Sequence, residues 1–277
     1  MIANPDSEIK TYLSSIPEIG SMMIGYIKGV PIAFFGAGEA GKSILMLQEA
    51  ICVAAQMNKN VLLIGTEGAE DVFVDLWLPA FKQRFNFLGH VSVISTETVE
   101  DLLKKFGRQI EIKVSDKGKA DIIVTGACKN EIVEKIIKDN IGVVVLDSFT
   151  MPFRTEFAGG RMNFAGRADA ECLIFGELRR ISHTKNLVVL MSHHATMDPT
   201  NPYAKPALTG GKNIIHNFKV ALYVERSKSP NVEKMCMRRI YLARFFNRPA
   251  WRDKRKITLT DTGFIAMVED GDDEKVE

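Results

Sequence analysis

Short runs of apolar, often β-branched residues alternate along most of the chain with segments whose apolar residues recur at helical spacing. The apolar runs lie at residues 31–35, 61–65, 90–94, 143–147, 187–192 and 220–225. Most of these runs lack a polar residue at every second position, which is typical of strands that are covered on both faces. Between them, residues 43–57 and 168–182 show the periodicity of amphipathic helices. This alternation predicts an α/β protein with a doubly wound, mostly parallel sheet.

The pattern changes in the last third of the chain. There the stretches RRIYLARFF and RKITLTDTGFIAMV have the character of strands without a helix between them, which predicts a C-terminal antiparallel extension of the sheet. A hairpin predicted over 108–125 interrupts the earlier alternation, and we expect it to be an insertion. The sequence thus predicts one domain over 1–268, with a short lead-in at 1–30 and an acidic, disordered tail at 269–277.

The stretch GAGEAGKS at 36–43 matches the phosphate-loop pattern G-x-x-x-x-G-K-[ST] in full. A predicted strand precedes it and a predicted helix follows it, which is the order that the motif requires. Its glycines let backbone N–H groups surround phosphate oxygens, and the positive end of the helix points at them. Lys42 supplies a positive charge for the β- and γ-phosphates, and the Ser43 hydroxyl is a ligand for Mg²⁺. The residues predicted to bind a nucleoside triphosphate, taken below to be ATP, are Gly36, Gly38, Glu39, Ala40, Gly41, Lys42, Ser43 and Ile44.

Acidic residues lie at or just after the ends of two other predicted strands. Parallel α/β sheets bind their ligands at the carboxyl ends of the strands. Asp147 ends the run 143–147. Such an aspartate can cap a turn, but together with a phosphate loop it is expected to support the metal, partly through water. Glu67 lies just beyond the run 61–65 and is the candidate general base that activates water, with Glu70 as its competitor.

Two adjacent histidines, His193 and His194, stand at the end of the run 187–192. A metal site is not indicated, because neighbouring strand residues point to opposite faces and no carboxylate or cysteine accompanies them at ligand spacing. One of the two is suited to sense the γ-phosphate and to pass its presence to the following loop. The other is interpreted as a structural polar residue.

Composition argues against a membrane protein, a secreted protein and a protein held together by disulfides or zinc. The 277 residues are 46% hydrophobic, enough for one large core. No apolar stretch reaches the roughly 18 residues of a membrane span, and the N-terminus lacks a signal-peptide layout, so we expect a cytoplasmic protein that does not contact membranes. The four cysteines form no Cys-x-x-Cys pair, which argues against a disulfide framework or a zinc site.

The net charge is only +2, but the charge distribution is uneven. Residues 238–256 hold eight arginines or lysines against one acid, Asp253, and four aromatic residues lie among them. We call this segment the basic strip. It is interpreted either as a solvated face or as a surface that binds a polyanion.

Together these motifs resemble the RecA superfamily, most closely the archaeal RadA-type recombinases and their shorter paralogues. The resemblance runs from about residue 18 to residue 266. Besides the phosphate loop, the matching stretches are GTEG (65–68), LDSFTMPFRTEFAGG (146–160), FAGRADAECL (164–173), LMSHHATMDP (190–199) and LTGGKNIIHNFKVALYVER (208–226). The run DSFTMPFRTEF is the most specific, because it separates this family from kinases and generic ATPases.

The resemblance implies the phosphate, Mg²⁺ and water-activating roles already given to Lys42, Ser43, Asp147 and Glu67. It also implies one DNA-binding loop after FRTEF and a second over 195–213. The candidate DNA-binding residues are Arg154, Arg161, Arg167, Lys205 and Lys212. The family usually has glutamine where this chain has its histidine pair. Register favours His194 as the sensor, a gap of one residue would select His193, and some hexameric helicase relatives place a histidine there.

Three departures from the recombinase pattern point to a paralogue that assists a recombinase. The segment ahead of the core lacks a Phe-x-x-Ala motif, the second candidate loop contains no arginine, and the hairpin has no clear counterpart. We therefore expect a slow, DNA-stimulated ATPase that binds single-stranded DNA and a RadA-type recombinase, and that forms a homo-oligomer. Two alternatives stay open: a KaiC-like module that uses nucleotide to choose partners without touching DNA, and a hexameric helicase core with Arg248 as an arginine finger.

Overall fold

The computed structural model describes residues 10–114, 120–156, 164–197, 200–201, 204–209, 218–227, 231, 235–246, 251 and 254–267. In chain order the elements are β1 (Thr11–Tyr12), α1 (Pro17–Met23), β2 (Tyr26–Ile27), β3 (Ile32–Gly36), α2 (Lys42–Met57), β4 (Asn60–Gly65), α3 (Glu70–Phe85), β5 (Val91–Ser95), α4 (Val99–Lys105), β6 (Arg108–Val114), β7 (Ala120–Ala127), α5 (Glu131–Lys138), β8 (Ile141–Asp147), α6 (Met151–Glu156), α7 (Phe164–Thr184), β9 (Val188–Thr196), β10 (Ala207–Leu208), β11 (Val220–Arg226), β12 (Met237–Phe245), β13 (Lys254–Thr260) and β14 (Gly263–Ala266).

The main sheet has the strand order β14-β13-β12-β11-β3-β9-β8-β4-β5, and β10 pairs with β9. From β11 to β5 each neighbouring pair on this path is parallel. The strands β12, β13 and β14 are antiparallel to their neighbours. The predicted doubly wound, mostly parallel α/β sheet with a C-terminal antiparallel extension is therefore confirmed.

Helices cover the parallel part of the sheet on both faces, which explains why its strands lack polar alternation. In β3, for example, Ile32 and Phe34 belong to one cluster of buried apolar residues, and Ala33 and Phe35 belong to the other. Residues of α2 and α3 complete the first cluster, and residues of α4 to α7 complete the second. Each central strand thus contributes alternate side chains to two cores.

The hairpin predicted over 108–125 lies outside the main sheet. β6 and β7 pair with each other in a separate two-stranded sheet over most of the predicted hairpin, whose turn lies outside the described residues. Its status as an insertion, like the predicted domain limits, stays a prediction. The acidic tail 269–277 also lies outside the described residues.

None of the helices in the described part of the chain is both long enough and apolar enough to cross a membrane.

The sheet brings distant segments of the sequence to one edge. β3, β4 and β8 end there at Gly36, Gly65 and Asp147, respectively. Strand register pairs Gly65 with Asp147, and it pairs Gly36 with His194 of β9. The phosphate loop, the two predicted acidic residues and a histidine therefore meet at the carboxyl edge of the parallel strands.

Candidate nucleotide site

The phosphate loop is a tight turn between β3 and α2, and two of its glycines, Gly36 and Gly41, lie where a side chain would not fit or would be strained. A Cβ atom at Gly36 would come within 2.2 Å of the carbonyl oxygen of Val224 in β11. Gly41, which immediately precedes α2, has a φ angle of +87°, in the left-handed region that favours glycine. The exposed tip at Gly38 has open space around it. This conformation leaves the tip and the start of α2 accessible to an anion.

Lys42 is buried within the loop, with a residue exposure of 8%. Its Nζ atom donates hydrogen bonds to the carbonyl oxygens of Ala37 (2.7 Å) and Gly36 (3.3 Å). Burial lowers the pKa of Lys42, while the charges of Asp147 and Glu67 act in the opposite direction. A buried cation among backbone carbonyls is well placed to exchange these partners for phosphate oxygens.

Asp147 and Ser43 form the oxygen pair that fits Mg²⁺. The Asp147 carboxylate accepts hydrogen bonds from the hydroxyls of Ser192 and Ser43. Burial raises the pKa of Asp147, and these hydroxyls with Lys42 partly offset that rise. Among the described residues no group of three or more His, Cys, Asp or Glu side chains could hold a metal by itself. The donor set suits Mg²⁺, which usually keeps several waters and binds through one or two carboxylates plus substrate phosphates.

The two glutamates after β4 have different surroundings. Glu67 lines the cavity next to the phosphate loop, and burial followed by the charge of Asp147 raises its pKa. The Glu70 side chain turns back toward the segment that follows β4. There its carboxylate accepts hydrogen bonds from the backbone N–H groups of Glu67 (2.7 Å) and Gly68 (2.8 Å). The Ser95 hydroxyl donates a third, at 3.1 Å. Glu70 thus holds the segment that carries Glu67.

Gly65 makes this arrangement sterically possible. A Cβ atom there would lie 1.9 Å from Cγ of Glu70. The Glu70 side chain therefore occupies space that any other residue at position 65 would fill.

Replacing Glu70 with alanine should free the loop that carries Glu67, because two backbone N–H groups lose their acceptor. We expect the turnover number for ATP to fall by up to about 100-fold through misplacement of Glu67, with little change in ATP affinity. Steady-state phosphate release and ATP titration measure the two quantities. Ser95→Ala, which removes one hydroxyl donor and leaves both backbone bonds, is the matched control. An unchanged turnover number in Glu70→Ala would show that Glu70 does not position this segment.

His193 and His194 point to opposite sides of β9, as expected for neighbours on a strand. His194 is half-buried and lines the cavity, and burial, Lys42 and Arg154 lower its pKa. His193 is fully buried, with its ring centroid 4.6 Å from that of Phe149 and 5.1 Å from that of Phe218. Burial lowers the pKa of His193 to about 3. Of the two, His194 is the one that lines the cavity beside the phosphate loop, and its sensor role stays a prediction.

The predicted DNA-binding residues have unlike environments. Arg154 and Lys205 are exposed. Arg167 pairs with the buried Glu171 at 2.8 Å, and its side chain is only 16% exposed. Arg161 and Lys212 lie outside the described residues. DNA binding by all five stays a prediction, and for Arg167 it would require release from Glu171.

Arg238, the first residue of the basic strip, has a position that sequence reasoning missed. It is buried beneath the phosphate loop, and its Nε donates to the carbonyl oxygen of Ala40 at 2.8 Å. Arg226, its cross-strand partner on β11, pairs with the Glu39 carboxylate at 2.9 Å. Arg226 of β11 and Arg238 of β12 therefore both hold the phosphate loop. The overlooked signal is that Arg238 is in phase with the buried Ile240 of β12.

These residues surround a cavity of about 450 Å³, within the range of small-molecule sites. Its lining includes Lys42, Ser43, Glu67, Asp147, His194 and Arg238.

Comparisons with known proteins agree with this fold. Residues 3–199 match the family described as AAA domain. The chain is 24% identical over 188 residues to the DNA repair and recombination protein RadA of Ignicoccus hospitalis, covering 66% of this chain and 53% of that protein. It is 23% identical over 225 residues to RadA of Methanococcus maripaludis, covering 76% of this chain and 64% of that protein. The chain thus spans about half to two thirds of these relatives.

A shorter relative and a solved structure match more completely. The DNA repair and recombination protein RadB of Methanococcoides burtonii is 24% identical over 204 residues, covering 73% of this chain and 77% of that protein. The crystal structure of the RadB recombinase superposes with a TM-score of 0.60 at 16% identity, covering 94% of this chain and all of that one. The chain belongs to the AAA domain family, and it shares the fold of the RadB recombinase.

Proposed function

We propose that this ATPase hydrolyses ATP slowly at the cavity beside the phosphate loop, and that DNA stimulates the reaction. The observation that carries the proposal is the convergence of Lys42, Ser43, Asp147 and Glu67 on one cavity. No single segment of the sequence supplies this set, since its members come from three separate strand ends.

Each residue has a role that follows from its chemistry. Lys42 and the N–H groups at the start of α2 would bind the β- and γ-phosphates, and Ser43 with Asp147 would hold Mg²⁺, partly through water. Mg²⁺, when bound, supplies positive charge that offsets the negative charge of the phosphates. Glu67 would orient a water molecule and take its proton, and the raised pKa of Glu67 makes it a stronger base than an ordinary glutamate.

The same proposal includes single-stranded DNA as a ligand and a RadA-type recombinase as a partner in recombination and repair. Support comes from the names of the RadA and RadB relatives and from two exposed cations, Arg154 and Lys205. We also propose a cytoplasmic location and a homo-oligomer, as expected from the resemblance to this family.

His194 offers a route between nucleotide and DNA. Its carbonyl oxygen accepts hydrogen bonds from the N–H group (3.1 Å) and the hydroxyl (2.9 Å) of Thr209. Thr209 lies within the candidate second DNA-binding loop, 195–213. A contact between the γ-phosphate and His194 would therefore change the position of that loop.

A band-shift titration on single- and double-stranded DNA, with and without ATP and Mg²⁺, tests the proposal. We expect tighter binding to the single strand and a steep loss of affinity as salt rises from about 50 to 200 mM, because phosphate contacts release counterions. Lys205→Met should weaken binding and reduce the salt slope by about one. Lys138→Met is the control, since Lys138 is exposed at the end of α5, next to the opposite edge of the sheet. Absence of DNA binding at low salt would instead favour the nucleotide-regulated module.

A further inference from the structure

A second cleft, of about 560 Å³, lies on the other side of the phosphate-loop turn. Its lining includes Tyr223, Tyr241, Trp251 and Lys205, together with Ala37 and Gly38 of the loop. We call it the aromatic cleft. The nucleotide cavity also reaches Gly38, so the two spaces share the tip of one turn.

Strand pairing builds the wall of the aromatic cleft. Tyr223 of β11 and Tyr241 of β12 are directly opposite each other, and their ring centroids are 5.8 Å apart. The ring of Trp251 lies 5.4 Å from that of Tyr223 and 6.0 Å from that of Tyr241. The backbone N–H group of Trp251 donates a hydrogen bond of 2.8 Å to the carbonyl oxygen of Leu242, which fixes the backbone at Trp251. These three aromatic rings are each only partly buried.

A buried residue packs against these aromatic rings from the core side. Phe35, the residue before the phosphate loop, is buried and lies 5.2 Å from Tyr223 and 6.1 Å from Trp251, measured between ring centroids. The Trp251 contact is edge-to-face, a favourable geometry for aromatic pairs. An aromatic surface backed by the core loses little conformational entropy when a flat ligand stacks on it.

The charges around the aromatic cleft favour an anionic occupant. The Nζ atom of Lys205 lies 5.7 Å from the ring centroid of Trp251. Arg226, which pairs with the Glu39 carboxylate at 2.9 Å, also lines the cleft. The one carboxylate among the lining residues, that of Glu225, accepts a hydrogen bond from Tyr241 at 3.1 Å and lies 3.7 Å from Arg239. Met197, at the same rim, is 61% exposed and adds a soft apolar contact.

We propose that the aromatic cleft stacks an unpaired base of single-stranded nucleic acid, with Trp251 as its main platform and Lys205 as its phosphate contact. The inference rests on the proposed DNA-binding function and assigns a subsite to it. Aromatic faces combined with cations are the usual means of holding single strands, whose bases are free to stack, whereas the bases of a duplex are already stacked on one another. The proposal also gives Lys205 of the second candidate loop a defined neighbour in the basic strip.

The fluorescence of Trp251 provides a direct test. The chain has two tryptophans, so Trp77→Phe leaves Trp251 as the sole reporter in the full-length protein. This variant is titrated with a short oligothymidine and with a strand of equal length and charge that lacks bases. We expect the oligothymidine to quench the fluorescence and to bind about tenfold more tightly than the abasic strand, because each stacked base stabilises the complex.

Replacing Trp251 should remove the difference between the two strands. In Trp251→Ala we expect oligothymidine affinity to fall to that of the abasic strand, and in Trp251→Phe most of the preference should return. Abasic-strand affinity should be the same in all variants, which reports that the phosphate contacts and the fold are intact.

Three results would overturn the inference. Equal affinity for the two strands without quenching would exclude base stacking and leave the proposed DNA binding standing. Quenching that depends on protein concentration without DNA would assign the aromatic cleft to a second copy of the chain. Absence of binding to either strand at low salt would refute the proposed DNA-binding function itself, and the subsite with it.

Discussion

Lys42→Met is expected to remove ATP turnover almost completely, by at least about 100-fold. Lys42 is the buried cation of the phosphate loop, and its Nζ atom is held by the carbonyl oxygens of Gly36 and Ala37. Methionine has a similar length but no charge, so the β- and γ-phosphates would lose their point-charge partner. Phosphate release and ATP titration of the purified variant measure the loss.

A stability measurement separates loss of function from loss of fold. Burial penalises the Lys42 charge, so its replacement by an apolar side chain of similar size should leave the thermal midpoint unchanged or raise it. Lys138→Met, at the far edge of the sheet, controls for removal of any lysine. Retention of wild-type turnover in Lys42→Met would contradict the assignment of the loop to phosphate binding.

Glu67→Gln is expected to lower turnover by about 10² to 10⁴, the usual contribution of a general base, while ATP affinity stays close to that of the wild type. Glutamine keeps the size and polarity of the side chain but cannot accept the proton of the attacking water. Because burial and Asp147 raise the pKa of Glu67, turnover in the wild type should also fall as the solution is made more acidic, and this fall should begin at a higher pH than an ordinary glutamate would give. Glutamate must be ionised to act as a base, which sets the sign of this dependence.

The control for this substitution is Glu97→Gln, since Glu97 is an exposed glutamate just after β5. It removes a carboxylate from the same edge of the sheet without touching the cavity lining. Equal turnover in Glu67→Gln and the wild type would show that another group activates water.

The parts of the fold that can be predicted from the sequence are those that depend on residues close together in the chain. The apolar runs before Gly36 and Asp147 are strands because both of their faces are covered, and the phosphate loop is recognisable because its glycines and Lys42 lie within one turn. By contrast, α3 was not predicted. Its apolar periodicity is weak, and Pro79 lies inside the helix, where proline usually signals an end.

The parts of the site that escaped prediction depend on contacts between distant segments. Arg238 was assigned to the basic strip because its neighbours in sequence are basic, whereas its position under Ala40 follows from the pairing of β12 with β11. Arg167 stands near a predicted loop in sequence, but α7 already begins at Phe164 and pairs it with Glu171 one turn later. Local sequence patterns do not reveal whether a charged residue will lie on the buried or on the exposed face of its helix or strand.

The measurement that tests the central claim most directly compares ATP binding and phosphate release side by side in the wild type, Lys42→Met and Glu67→Gln, with Mg²⁺ present. If Lys42 and Glu67 act at one triphosphate site, the wild type binds and hydrolyses ATP. In that case Glu67→Gln binds ATP without hydrolysing it, and Lys42→Met does neither. Failure of the wild type to bind ATP at millimolar concentration, or hydrolysis that survives both substitutions, would contradict the account.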